Sequence, residues 1–240
     1  MDAPVLLGVS VDWPDVPPPL RVREAHRRAV NLEDPRGRRF SLVTDPRDLG
    51  PRTAWLSHLP ELREGEPGPD LPRGEEGFRF DPRIRPGRPR PRWRPLWEEW
   101  PVFLEDPELR ALGEALREED PLSLAGLGPG HTPAGDDWIA GWLVALGWIG
   151  SPESLRARGE LGRRFDPGRT AWLAGEVIRD ALEGLAWARP AALTAALEGE
   201  DGEAVLRAVS AMTDWGHTSG RAWLAGFAGA LGRFDATAPR

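Results

Sequence analysis

Two stretches of this chain are apolar on every side of a helix, and each is entered through a glycine-rich turn. Residues 130–147, GHTPAGDDWIAGWLVALG, and 216–232, GHTSGRAWLAGFAGALG, differ by one residue in the turn and then keep step. The first carries Trp138, Ile139, Trp142, Leu143 and Leu146, and the second Trp223, Leu224, Phe227 and Leu231. A helix that is hydrophobic all round has no face to give to water, so both segments belong inside a packed body. Gly141 and Gly226 sit one turn in, where a missing Cβ lets another helix approach at a propensity cost of about 1 kcal/mol each. A partial copy, RTAWLAG at 169–175, repeats the Trp-x-Ala-Gly element without the glycine entry, which points to duplicated local architecture.

The rest of the chain divides by pattern. Short apolar runs at Val5 to Val11, Ala29 to Leu32 and Phe40 to Val43, broken by Pro and Asp-Pro turns, read as strands of a small β-containing region. Residues 60–101 are rich in Pro, Gly and Arg, and seven arginines from Arg79 to Arg94 accompany one acid, Asp81. That composition predicts a long loop or arm. It could grip an acidic partner or RNA with Trp93 and Trp97 stacking, but an arm packed over the protein's own acidic surface is the favoured reading. From Glu105 onward the pattern is helical, with start signals at Asp106-Pro107, Ser151-Pro152 and Asp166-Pro167 and about seven helices expected. Thr170 to Trp187 reads as an amphipathic helix, with Leu173, Val177, Ala181 and Leu185 inside and Arg179, Asp180 and Glu183 outside. The fold class is therefore α+β: residues 1–101 form a β-rich N-terminal region with a Pro/Arg-rich arm, and residues 102–240 a helical region holding the two buried glycine-turn helices.

Chemistry concentrates at the two helix starts. The first amides of a helix lack intrahelical partners and carry roughly half a positive charge, so a glycine turn leading into them makes a cradle for phosphate or carboxylate. On this reading Gly128, Gly130, His131, Thr132 and Gly135 bind an anion from one side, and Gly216, Thr218, Ser219, Gly220 and Arg221 from the other. Asp136 and Asp137 open the first helix, where the dipole favours carboxylates; N-capping accounts for one, and the pair could act in catalysis or hold Mg2+. His131 and His217 occupy equivalent places, and His217 is the candidate acid or base; a turn-capping histidine is the plain alternative for either. Arg221 could meet a substrate's carboxylate or phosphate bidentately.

Composition narrows the functions. A formal charge of -7 and a pI near 5.3 give no global attraction to nucleic acid or an anionic membrane, so neither is expected as a partner. The absence of cysteine removes disulfides, thiolate metal sites and cysteine nucleophiles. No apolar run is long enough for a transmembrane helix and the N-terminus lacks a basic leader, so a cytoplasmic protein is expected. All 31 basic residues are arginine, glutamine is absent and Asn31 is the only asparagine, which fits a GC-rich, thermophilic source. HExxH, Walker A and dinucleotide fingerprints are missing.

As a longer string, GLGPGHTPAGDDWIAGWLVAL at 126–146 with GHTSGRAWLAG at 216–226 resembles the signatures of a bacterial family that includes AllH, a subunit of oxamate carbamoyltransferase. AVNLEDPRGRRFSLVT at 29–44 is similar to an early stretch of that family, so the likeness runs over roughly residues 25 to 232. By position it marks Gly126, Gly128, Gly130, Thr132, Gly135, Asp136 and Asp137 in the first turn, and Gly216, His217, Thr218, Ser219 and Gly220 in the second. His131 stands where leucine is common, Ala134 where serine is, and Arg221-Ala222 where a small residue precedes aspartate. The resemblance implies carbamoyl transfer between oxalurate and phosphate, giving oxamate and carbamoyl phosphate, within a complex of other carbamoyltransferase subunits. The alternatives are a noncatalytic ligand-binding subunit or sensor, and a small-molecule kinase.

Overall fold

The computed structural model of the chain describes residues 4–69, 77–116 and 120–234; residues 70–76 of the expected 60–101 loop lie outside the described residues. The chain forms two compact units, one of residues 1–83 with 185–189, the other of residues 84–184 with 190–240.

The first unit is a six-stranded mixed sheet built from β1 (Leu6–Ser10), β2 (Arg21–Ala25), β3 (Ala29–Glu33), β4 (Arg39–Val43), β5 (Thr53–Leu56) and β6 (Phe78–Phe80), in the order β2-β3-β4-β5-β1-β6. The pairs β4–β5 and β1–β6 are parallel and the others antiparallel. Three strands lie on the expected apolar runs; β2, β5 and β6 complete the sheet. Val9, Val22, Val30, Leu32, Phe40, Leu42, Ala54 and Leu56 make its core. The β3–β4 register places Asn31 opposite Ser41, and the Ser41 hydroxyl donates to Asn31 Oδ1 at 2.8 Å. The fully buried Arg39 donates to Ser41 Oγ at 2.6 Å and lies over the Trp187 ring, so this buried cation is hydrogen-bonded and stacked rather than stranded.

The second unit is helical. It comprises α1 (Arg94–Glu98), α2 (Arg110–Ala115), α3 (Ala134–Ile149), α4 (Pro152–Arg164), α5 (Trp172–Leu182), α6 (Ala188–Glu198), α7 (Gly202–Thr213) and α8 (Ser219–Phe234), with short 3-10 turns between; Ala188 and Arg189, at the start of α6, fall in the first unit. The α+β class is as the sequence reads. Every one of the 16 residues of α3 is buried, as an all-round apolar helix requires. Ser151 caps α4 by accepting from Ser154 N with Pro152 at the first position. Asp166 opens a 3-10 turn instead, and α5 starts later, at Trp172.

The expected inside and outside of α5 need correcting. Its buried face carries Ala174, Ile178 and Ala181 together with Glu176 and Asp180. An acid that finds partners can be buried, and Glu176 pairs with Arg179, so polarity alone misplaced the outer face. Gly184, at φ +84, ends the helical run before Leu185.

The arginine-rich arm from Ile84 is an ordered strap on the ends of its own unit's helices. Gly87 N donates to Trp148 O at 2.7 Å and Arg90 N to Leu197 O at 2.8 Å. Arg90 Nε donates to Glu198 O at 2.9 Å and Trp93 Nε1 to Gly199 O at 3.0 Å. Arm donors thus satisfy the last carbonyls of α3 and α6, where the helix dipole favours a cation.

The helices α3 and α8 meet through their echoed glycines. A Cβ added at Gly141 would land 2.1 Å from Trp223 O, and one at Gly226 would land 2.0 Å from Trp138 O. The contact is reciprocal: each glycine of one Trp-x-x-Gly element receives the tryptophan carbonyl of the other. Around this point Trp138 stacks on Trp142 with centroids 4.9 Å apart, and Trp223 stacks on Phe227 at 5.0 Å. Gly226→Ala is therefore expected to lower the unfolding free energy by about 2 kcal/mol or more in urea titrations, although alanine is the better helix former by about 1 kcal/mol. A variant as stable as its parent would show that the backbones do not meet here.

Candidate functional site

The first turn is wound by glycine. Gly126, Gly128 and Gly130 take φ of +78, +116 and +93, a region that side chains other than glycine enter only with strain, and Gly126 passes so close to the Arg169 carbonyl that a Cβ would sit 2.4 Å from it. Gly216, at φ +64, does the same service before α8.

Both turns open onto one cavity of about 500 Å³. Of the residues expected to form the site, Gly128, Gly130, His131, Thr132, Gly216, His217, Thr218 and Ser219 line it, with Leu127, Ala111 and Leu112 supplying apolar wall. Thr132 Oγ1 lies 3.3 Å from Ser219 Oγ across the junction. The starts of the two helices therefore converge, with hydroxyls from both at one place.

Five of the expected residues are not among the cavity's described lining residues: Gly135, Gly220, Asp136, Asp137 and Arg221. The expectation that Gly135 and Gly220 offer their amides to a ligand is not met in this geometry. Gly135 N donates to Leu127 O and Gly220 N to Trp215 O, each at 2.9 Å, so these N–H groups bind their own turns. The two glycines also match in packing, since a Cβ would strike Leu124 O at 2.1 Å and Met212 O at 1.7 Å respectively.

The paired aspartates have different surroundings. Asp136 clips three segments together: Oδ1 accepts from Gly126 N at 3.1 Å and Oδ2 from the Thr170 hydroxyl. Asp137 is buried, its Oδ2 has no hydrogen-bond partner, and Ser219 is the polar side chain that acts on its carboxyl. Burial raises the pKa of both, most for Asp137, where the neighbouring Asp136 charge adds to the shift and Ser219 opposes it. Among the described residues no group of three or more His, Cys, Asp or Glu is arranged to hold a metal ion. One carboxylate committed to Gly126 and Thr170 and a second that burial pushes toward its neutral form are poor ligands for Mg2+, which favours exposed, ionised oxygen donors.

Arg221 faces away from the role expected of it. Its guanidinium is engaged by Asp106 and, at 3.2 Å, by Glu108, and it also donates to His217 O at 2.9 Å. The Glu108 N–H donates to Asp106 Oδ1 at 2.9 Å and, ahead of the Arg221 charge, holds that carboxyl below its usual range. Glu108, which lines the cavity, also lies 2.7 Å from His217 Nε2. Sequence reasoning missed Asp106 as a partner and Glu108 altogether, because 109 residues separate Glu108 from His217 and no spacing marks the pair.

The cavity thus offers three hydroxyls, two imidazoles, glycine backbone and one carboxylate, with neither lysine nor arginine among its described lining residues. The raised pKa of Asp137 has a stability consequence. The unfolded chain titrates this group near 3.8, so above that value the folded state holds the extra proton and stability falls as pH rises toward the folded-state pKa. Asp137→Asn removes the ionisation, and its melting temperature is expected to exceed the parent's at about pH 8, with the gain shrinking toward about pH 4. A gain that grows as pH falls would contradict this sign.

Neither a curated protein nor a solved structure matches the chain. Residues 124–231 match the family model described as "Oxamate carbamoyltransferase subunit AllH". The stretch at 29–44 lies outside the matched residues, whereas both glycine turns, the helices α3 to α8 and the hydroxyl junction at Thr132 and Ser219 lie within them or end close by. Over this segment the chain is AllH-like.

Proposed function

We propose that this protein binds a small anionic metabolite, phosphorylated or carboxylated, in the cavity where the two glycine turns meet, and serves as an AllH-type subunit of a carbamoyltransferase acting on oxalurate or oxamate and carbamoyl phosphate. The observation that carries the binding half is the convergence of Thr132, Thr218 and Ser219 on one cavity, with Thr132 Oγ1 and Ser219 Oγ 3.3 Å apart. A volume of about 500 Å³ suits a metabolite of that size. The reaction half rests on the family match.

Carbamoyl transfer suits such donors. Attack of phosphate on the carbamoyl carbon places negative charge on a tetrahedral oxyanion, which preorganised hydroxyl donors stabilise without reorganising. His217 is the group to move protons: with Nε2–H turned to Glu108, Nδ1 is left as the basic nitrogen. Asp136 acts at one remove, by holding Gly126 and the segment before α5 against the start of α3.

A noncatalytic ligand-binding subunit is the second reading, favoured by the inward commitment of both aspartates, which leaves His131, His217 and Glu108 as the titratable groups among the cavity's described lining residues. Titrating purified protein with carbamoyl phosphate and with oxamate, and assaying turnover alone and with the products of neighbouring genes, separates the two. The enzyme reading expects saturable binding, with turnover that His217→Ala lowers about a hundredfold while affinity changes little. Binding with no turnover in any combination selects the second reading, and no saturable binding sinks both.

A further inference from the structure

An anion site with neither lysine nor arginine among its described lining residues needs another source of donors, and the Asp137–Ser219–Thr132 chain supplies one. Ser219, the first residue of α8, interacts with the Asp137 carboxyl and lies 3.3 Å from Thr132 Oγ1. A hydroxyl has one proton to give. If Asp137 is ionised it can only accept, so Ser219 turns its proton inward and presents lone pairs to the cavity, which repel an anion. If Asp137 is a neutral acid it donates to Ser219, which donates onward.

Burial decides between these arrangements. Asp137 is 8% exposed and its Oδ2 has no hydrogen-bond partner. An unpartnered buried carbonyl oxygen costs far less than an unpartnered buried carboxylate. Asp136 stands next to it on α3, and a second negative charge there disfavours ionisation. Among the described residues, the other charged or titratable groups around the cavity are His131, His217 and Glu108, with Arg221 engaged by Asp106 and Glu108.

We propose that Asp137 is held as a neutral carboxylic acid whose proton orients the Ser219 and Thr132 hydroxyls outward, making a charge-free donor relay for a small oxyanion such as a phosphate or carboxylate group. The relay rests on the anion-site reading given above and adds its mechanism: affinity comes from directed hydroxyls, with the acid as a positioning residue. It also gives the site a preference, because deprotonation of Asp137 would turn the same hydroxyls into acceptors.

Infrared difference spectra between the wild-type protein and Asp137→Asn at neutral pH test the acid with no ligand present. The wild type is expected to show a protonated-carboxyl C=O band that the variant lacks and that Ser219→Ala shifts; absence of the band overturns the relay. Sulfate, whose charge is constant across the neutral range, probes the cavity by calorimetry. Ser219→Ala is expected to weaken sulfate binding about tenfold, while Asp137→Asn, whose amide still donates to Ser219, stays within about threefold of the wild type. Asp137→Asn binding about tenfold tighter would show an ionised aspartate in the parent and overturn the relay. A wild-type protein that shows the infrared band yet never binds sulfate would instead overturn the anion-site reading, and the relay's function with it.

Discussion

The helical unit depends on the place where α3 and α8 touch backbone to backbone. Gly141 and Gly226 each occupy a spot where a methyl group would lie about 2 Å from the opposite tryptophan carbonyl, so the helices cannot approach this closely with any other residue at either position. Contact without side chains between the backbones lets the flanking tryptophans and Phe227 stack around the junction. Because the contact pairs the same element of each repeat, it brings the beginning of both helices into one neighbourhood. The hydroxyls of Thr132 and Ser219 are adjacent as a consequence of packing deeper in the helices.

The electrostatics follow from that packing. Two helix starts contribute dipoles of the same sign, and the hydroxyls and imidazoles beside them share the cavity wall with the Glu108 carboxyl. The Arg221 guanidinium, beside the second turn, is spent on Asp106 and Glu108. Its pairing fastens the 106–112 segment beside the second turn, and that segment supplies Glu108, Ala111 and Leu112 to the cavity wall. Asp136 performs a comparable fastening on the first turn through Gly126 and Thr170.

Much of this was legible in the residues because repetition and periodicity are local. The all-round apolar runs marked α3 and α8, the shared Trp-x-x-Gly element marked their contact, and β1, β3 and β4 followed from short apolar runs. What could not be read depends on distance or on context. The strand β2, RVREA, is mostly charged and ends the strand order, where Val22 pairs its N–H and carbonyl with Glu66 and Gly65 of a loop rather than with another strand. Glu176 and Asp180 are buried because partners exist for them, which no periodicity reveals. Glu108 meets His217 across 109 residues, and Asp136 meets Thr170 across 34. Glycine turns signalled free amides, but the turns fold back and use the Gly135 and Gly220 N–H groups themselves.

The convergence of the two turns can be measured directly because the chain has no cysteine of its own. In a Thr132→Cys, Ser219→Cys double variant, mild oxidation of the folded protein should close an intramolecular disulfide, read by mass spectrometry of the linked peptides, since hydroxyls 3.3 Å apart place the new sulfurs within reach of each other. Formation of that link in the monomer at low protein concentration is the predicted result. Two free thiols under conditions that oxidise an exposed dithiol would contradict the shared cavity on which the functional account is built.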